Sequence, residues 1–451
     1  MRYYSSRRLS PSQKVGIGVA LVLAAVIAYF VYNDGLFFKL WVVVKNNTFF
    51  WGTIALGVGF ALWHKFRYPR EFIWAELPVQ IVGTTLAVIL FFAFFFYQTT
   101  DLQDSEFLNG YVLRAEYEEE WTEETEHCTE TCDSDGNNCR QTNCHWVCDN
   151  YHSPSWQVVH DTGERTSRTT SVSSGDFERY ARHFGNRRFV SQSHLHQCSI
   201  GDGDMYVADY PRENPELIVP SSLDHQFVNY VKGTTSIRKR TGGNTRGFEP
   251  LLHPYPKLRN RGFGAIDVDR VINAGVSLPD KWVETVDRQL DVALASLGGK
   301  KQVNILVYLA NTSDQAFLHA LEEAWVNGKK NDVIVLIGAP EGKIAWVSVM
   351  AWTDVEEFKI QLRDKVFALK TLDGNAEKLA KLITDQVALP PEQGGYKRKP
   401  MDELEYLAGD VSLPWWSMII LFLLNFLIAY AIGWALRNNE IRDPNVGNEE
   451  V

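Results

Sequence analysis

Six cysteines carry the plainest chemistry in this chain of 451 residues. Cys128, Cys132, Cys139, Cys144 and Cys148 fall within twenty-one residues, and Cys198 follows much later. An even number confined to one polar stretch is what disulfides in an oxidising compartment give. Sequence alone leaves their connectivity open. Zinc is the rival reading, because Cys128-x3-Cys132 and Cys144-x3-Cys148 form two pairs beside His127 and His145. Structural zinc more often uses tighter C-x2-C knuckles, so disulfides are expected. Asp133-Ser-Asp135-Gly-Asn137 has the opening pattern of a calcium loop, but Cys144 stands where the bidentate Glu belongs. A turn is expected there. The bridges would staple a loop-rich segment, Glu116–Ser155, that has few apolar residues to bury.

Seven glutamates crowd Glu116–Glu126 around Trp121. They read as the exposed edge of a strand or helix beside the cysteine loop, with a cation-attracting or partner-binding surface as the alternative. His160, His183, His194 and His196 are scattered through the same half. His194-x-His196 would put two rings on one strand face without a third ligand, so ordinary hydrogen-bonded histidines are expected.

These residues must be positioned by a polar block, 98–412, that is fenced by hydrophobic segments. Val15–Tyr32 is an apolar run without charge, Thr48–Trp63 is shorter and glycine-rich, and Phe72–Tyr97 is strongly apolar. Leu413–Leu436 follows the block and is entered through Pro414-Trp415-Trp416, an interfacial aromatic signature. Each approaches the ~20 residues that cross a bilayer, so four transmembrane helices are expected. Arg2, Arg7, Arg8, Lys14, Lys65, Arg67, Arg70, Arg437 and Arg442 mark one side. By the positive-inside rule both termini are expected in the cytoplasm and the large block outside it, in the periplasm if the membrane is a bacterial inner membrane. Asn425 is the main deep polar group, expected to hydrogen-bond between helices. The formal net charge of −10 argues against a nucleic-acid partner. Arg238-Lys239-Arg240 reads as a solvated linker, and no nucleophile elbow, phosphate-cradling loop or zincin helix is recognisable.

Within the block, Tyr111–Leu113, Trp156–Val159 and Met205–Val207 alternate with period two and predict a β-rich unit. Ser236–Arg261 is rich in Gly, Thr, Arg and Pro and reads as a linker. Beyond it, helical spacing over Pro279–Leu297 stops at Gly298-Gly299. Buried-strand runs at Val303–Ala310, Asp332–Ile337 and Ile344–Met350 alternate with helices at Asp314–Val326, Val355–Leu369 and Asn375–Val387. That order predicts an α/β sandwich around a small mixed sheet.

The run VNILVYLANTSDQAFLHALEEAWVNGKKNDVIVLIGAPEGKIAWVSV, with a helix before it and two after, resembles the TPM domain family over about residues 262–389. Ala324-Trp325-x-x-Gly328 at a helix end, then a polar turn and Val333–Ile337, carry the resemblance. This chain has Asn331-Asp332-Val333 where the family has Asn-Gly, and Val349-Met-Ala-Trp352 where it has Gly-x-Gly. The resemblance implies a membrane-tethered domain facing the thylakoid lumen or periplasm. It also implies a role in assembly or repair of membrane complexes, with acid phosphatases among its members. Asp332, Asp354, Glu356 and Glu357 are then the candidate catalytic or metal cluster, for calcium or magnesium if any ion. Their simpler reading is carboxylates at a helix start.

The expected architecture is an integral membrane α-helical anchor of four transmembrane helices carrying two extracytoplasmic domains, one β-rich with disulfides and one an α/β sandwich. Its parts are a tail at 1–14, three spans within 15–97, the β-rich cysteine domain at 98–235 and a linker at 236–261. The TPM-like domain at 262–389, a linker at 390–412, the last span at 413–436 and a tail at 437–451 follow. The expected function is a scaffold or assembly protein, without resident cofactor, acting on membrane lipid and on other membrane proteins or itself as an oligomer. The alternative is a membrane-anchored phosphatase using the acidic cluster.

Overall fold

The computed structural model describes residues 44–45, 47–68, 77–99, 103–131, 139–164, 167–192, 194, 197–198, 203–233, 245–260, 266–326, 328–410 and 413–437. The expected first span Val15–Tyr32, both tails, Cys132, the Asp133–Asn137 turn, His196 and Arg238–Arg240 lie outside them. The chain divides into two units, one of residues 1–104, 227–239 and 400–451, the other of 105–226 and 240–399.

The first unit is helical. Helix α1 (Thr48–Arg67) is capped by Asn47, whose side chain accepts from the Phe50 N–H. Helix α2 is Leu77–Thr99, and the last described helix is Trp415–Arg437. Two segments are long and apolar enough to cross a membrane, Leu77–Phe96 and Trp415–Ala435. The expectation of four is supported for these two. Helix α1 is less apolar because it carries Thr53, His64 and Lys65, and all three are turned inward.

In the second unit, β1 (Gln103–Glu118) is the spine of the first sheet. It is followed by β2 (Trp121–Thr131), β3 (Arg140–His152), β4 (Ser155–Asp161) and β5 (Arg168–Ser171). Helix α3 (Ser174–Phe184), β6 (Arg188–Val190), β7 (Met205–Asp209) and β8 (Pro220–Val228) complete the run, and the short helix α4 (Tyr230–Gly233) that follows belongs to the first unit. The sheet order is β5-β4-β1-β7-β6, with β8 pairing β1. Helix α3 starts in a Ser173–Asp176 capping box and stops at Gly185 in the left-handed region. Its Phe177, Tyr180 and Phe184 stripe packs on Val112, Ala115, Val158 and Ala208 of the sheet. Strands β2 and β3 form a separate antiparallel hairpin, where a loop-rich segment was expected. Cross-strand backbone pairing and the cysteine bridges hold it in place of an apolar core.

Strands β9 (Leu258–Asn260) and β10 (Ile266–Val268) pair with each other. The second sheet runs β11 (Val271–Ala274), β12 (Asn304–Ala310), β13 (Asp332–Gly338) and β14 (Trp346–Ala351). The first three strands are parallel and β14 is antiparallel. Helices α5 (Trp282–Lys301), α6 (Phe317–Trp325), α7 (Glu356–Phe367) and α8 (Ala376–Ala388) cover its faces, and α9 denotes Trp415–Arg437. Every residue of β12 and β13 is buried, as parallel strands sandwiched by helices require.

Two sequence expectations change here. Gly298-Gly299 does not end α5, which continues to Lys301. These glycines are where the helix meets the first sheet: a Cβ on Gly298 would lie 2.3 Å from the Asn109 carbonyl oxygen, and Gly299 packs on Gly163. The 245–260 part of the expected linker contributes Phe248, Leu251, Leu252 and Tyr255 to a core shared with Phe107, Tyr308 and Trp325.

Candidate functional site

Asp332 opens β13 and is buried, because its register partner Asn304 lies in the interior as well. Its carboxylate accepts from Asn304 Nδ2 at 2.7 Å, the Tyr255 hydroxyl at 2.9 Å and the Lys329 N–H at 2.6 Å. Burial lifts the Asp332 carboxyl to about 6 despite these donors, since desolvation disfavours the charged form more than they favour it.

Asn304 links Asp332 to Arg270, the largest fully buried side chain. Arg270 donates Nε to Asp291 at 2.8 Å, Nη1 to Asn304, and Nη2 to Asn109 at 2.8 Å and Ser222 at 2.7 Å. Asn109 and Ser222 belong to the first sheet and Asp291 to α5, so one guanidinium ties both halves of the unit. Burial raises the Asp291 carboxyl to about 8, with Arg270 pulling the other way. Oxygens of Asp267, Asp287 and Asp291 come within 4.8 Å of one another. The Arg270 guanidinium on Asp291 and the Arg270 N–H on Asp287 (2.5 Å) already answer this negative charge.

A second buried acid, Glu106, accepts from Arg398 Nη2 at 2.5 Å and shares a 2.9 Å hydrogen bond with His225 Nδ1. Tyr396 is buried beside Phe358 and lies within electrostatic reach of Arg398, Asp332 and Glu106. Residues 390–399, expected as linker, thus close over the seam.

The other candidate acids, which follow β14 at the sheet end where β13 begins, have partners of their own. Asp354 is held by Lys399 at 2.7 Å and Glu356 by Lys359 at 2.7 Å, while Glu357 accepts from Gln361. Asp332 has its hydrogen bonds with Asn304, Tyr255 and Lys329 instead. The partners that matter, Arg270, Asn109, Asn304 and Tyr255, lie far apart in the chain and share no spacing. Asn304 at the head of an apolar strand was the one local signal.

Among the described residues the bridges are Cys128–Cys144 and Cys148–Cys198, and Cys139 is disulfide-bonded too. Bridged sulfurs offer no thiolate to zinc. The first joins β2 to β3; the second ties the hairpin to the segment around Cys198, whose N–H donates to the Thr122 carbonyl. Trp121 is sandwiched between His152 (4.0 Å) and His194 (3.9 Å), both nearly parallel to the indole. Gly203 (φ +58°) is needed beside them, because a Cβ there would strike both His194 and Trp121.

On the hairpin, Thr125, His127 and Asp149 form an exposed cluster. Both Thr125 and Asp149 meet the same ring nitrogen, Nε2, so the ring cannot relay a proton from hydroxyl to carboxylate. His160 is buried between Ser221 (2.8 Å) and Thr170 (3.0 Å), and desolvation lowers it to about 4. His183 meets the Leu217 carbonyl at 3.0 Å. The hairpin's solvent face carries Trp146 (49% exposed) and Tyr151 (61%) among its glutamates. Compared with family models, curated proteins and solved structures, the chain matches none.

Proposed function

We propose that this chain is a membrane-anchored protein whose disulfide-stapled outer unit binds other proteins, either neighbours in the membrane or further copies of itself. The observation that carries this reading is the β2–β3 hairpin. Its strands run 11 and 13 residues, yet β3 has no buried position. A lone hairpin is marginal in water, and an exposed one with large aromatics is suited to contact rather than to core packing. The interior acids, by contrast, are engaged by Asn304, Tyr255, Arg270, Arg398 and His225.

In this reading Leu77–Phe96 and Trp415–Ala435 anchor the protein, and the basic residues at their flanks keep the termini cytoplasmic. The TPM-like role in assembling membrane complexes is consistent with it and rests on the sequence resemblance alone.

Cross-linking of the full-length protein in native membranes tests the proposal. The wild type should give cross-linked species above a single chain, and Trp146→Ala/Tyr151→Ala should lose most of them at unchanged expression. A wild type that never cross-links, or a variant that cross-links equally, rejects the hairpin as a contact surface.

A further inference from the structure

The helical unit hides a polar seam. Thr53, Gly57 and His64 share the inner face of α1, and Gln80 and Thr84 lie on α2. Asn425 and Gly433 lie on α9. Asn425 Nδ2 donates to the Thr53 carbonyl at 2.9 Å, and Gln80 Nε2 donates to the Ala429 carbonyl at 2.8 Å while standing 3.0 Å from His64 Nδ1. The glycines admit these side chains. A Cβ on Gly57 would lie 2.9 Å from Thr84 Cγ2, and one on Gly433 would lie 1.9 Å from His64 Nδ1.

The seam occupies only part of the bundle. Val44, Phe50, Val88, Phe92, Leu413 and Leu421 fill the remainder with apolar side chains. From Thr53 to His64 the seam climbs roughly 16 Å, about half of a ~30 Å hydrocarbon core. It ends beside Lys65 and Arg67, the basic last turn of α1.

Two of its acceptors lack a donor. Among the described residues Gln80 Oε1 and Asn425 Oδ1 have no hydrogen-bond partner, although Gln80 is 0% and Asn425 5% exposed. Turning either amide over does not help, because its oxygen would then face the Ala429 or Thr53 carbonyl. The Thr53 and Thr84 hydroxyls are committed to the Phe49 and Gln80 carbonyls of their own helices. In hydrocarbon an unmet acceptor costs several kcal/mol by the usual ~2–7 kcal/mol transfer penalty, and lipid tails supply no donor.

We propose that this seam is a water-binding half-channel: water enters from the Lys65–Arg67 end, donates to Gln80 Oε1 and Asn425 Oδ1, and stops at the Phe50–Val88–Phe92 plug. The proposal rests on the membrane-anchor reading given above. It also accounts for the lower apolarity of α1, whose polar residues line the wet side.

Thiol accessibility separates the two ideas, because the seam contains no native cysteine. Full-length Thr84→Cys, Val88→Cys and exposed Tyr406→Cys variants are treated in sealed proteoliposomes with 2-aminoethyl methanethiosulfonate, with wild type as background. The seam predicts modification of Thr84→Cys and Tyr406→Cys, an unreactive Val88→Cys, and loss of Thr84→Cys reactivity when Asn425→Leu is added. Thr84→Cys as inert as Val88→Cys overturns the half-channel and leaves the anchor standing. Reaction of both, with release of the protein by alkaline carbonate, overturns the anchor and the half-channel together.

Discussion

The Arg270 cluster of the second unit and the polar seam of the helical unit both bury polar side chains, and they satisfy them differently. Around Arg270 the guanidinium meets four side chains, and donors and acceptors are matched across the two sheets. Along α1, α2 and α9 two amide oxygens find no donor among the described residues. A matched network fixes one arrangement and resists change, whereas an unmatched one needs something mobile to complete it. The contrast separates the Arg270 cluster, which is complete in itself, from the proposed seam, which water would complete.

The largest effect should come from breaking the matched network. Arg270→Met leaves Asp291, Asn304, Asn109 and Ser222 buried without the donor they share, and should cost about 3–5 kcal/mol, a few unmade buried hydrogen bonds at roughly 1–3 kcal/mol each. Denaturation of the full-length protein in detergent should show both sheets lost in one transition at lower denaturant. A midpoint within error of wild type would mean that Arg270 does not join the halves.

Removing the Cys148–Cys198 bridge, which spans a sequence separation of 50, should cost roughly 2–4 kcal/mol. Proteolysis should then cut first in the hairpin while the second sheet stays protected. Equal protection with and without the bridge would show that the Trp121 stack holds the hairpin alone.

Buried titrating groups give smaller effects of opposite sign. Asp332 is raised to about 6, so the folded state holds its proton more tightly than the unfolded chain. Its contribution is therefore lost as pH rises from about 4 to about 6. His160 is lowered to about 4, so its contribution is lost as pH falls from about 6.5 to about 4. Relative to wild type, Asp332→Asn should remove the first dependence and His160→Gln the second. Two variants with the same pH slope as wild type would contradict both assignments.

Smallest of all, Trp146→Ala/Tyr151→Ala should change stability by about 0.5 kcal/mol or less, as exposed substitutions do, and act on association alone. A drop of several kcal/mol would make those rings structural.

Much of the second sheet was legible in the sequence. Val303–Ala310 and Asp332–Ile337 anticipated β12 and β13 to within a residue, because strands buried on both faces read as uninterrupted apolar runs. The hairpin was not legible: Arg140–His152 has no buried position and Trp121–Thr131 is half-buried or exposed, so no period-two pattern marks them. Gly298-Gly299 looked like a helix stop and is a close-approach point, a distinction that depends on Asn109 and Gly163, far away in the chain. Asp332 was singled out for its charge. Its partners Asn304 and Tyr255, and the Arg270, Asn109 and Ser222 side chains beyond Asn304, come from distant strands and loops, and no local spacing brings them together. Of the bundle seam only Asn425 stood out, since His64 and Gln80 sit near helix ends where polar residues are ordinary.

The central claim is that the disulfide-stapled unit works by contact. Extraction of the full-length protein from its native membrane in mild detergent, with measurement of particle mass, addresses this directly. The predicted result is a stable particle heavier than one chain in detergent, containing further copies or a membrane-protein neighbour. A single chain alone, hydrolysing phosphomonoesters with calcium or magnesium in a manner abolished by Asp354→Asn, would contradict it.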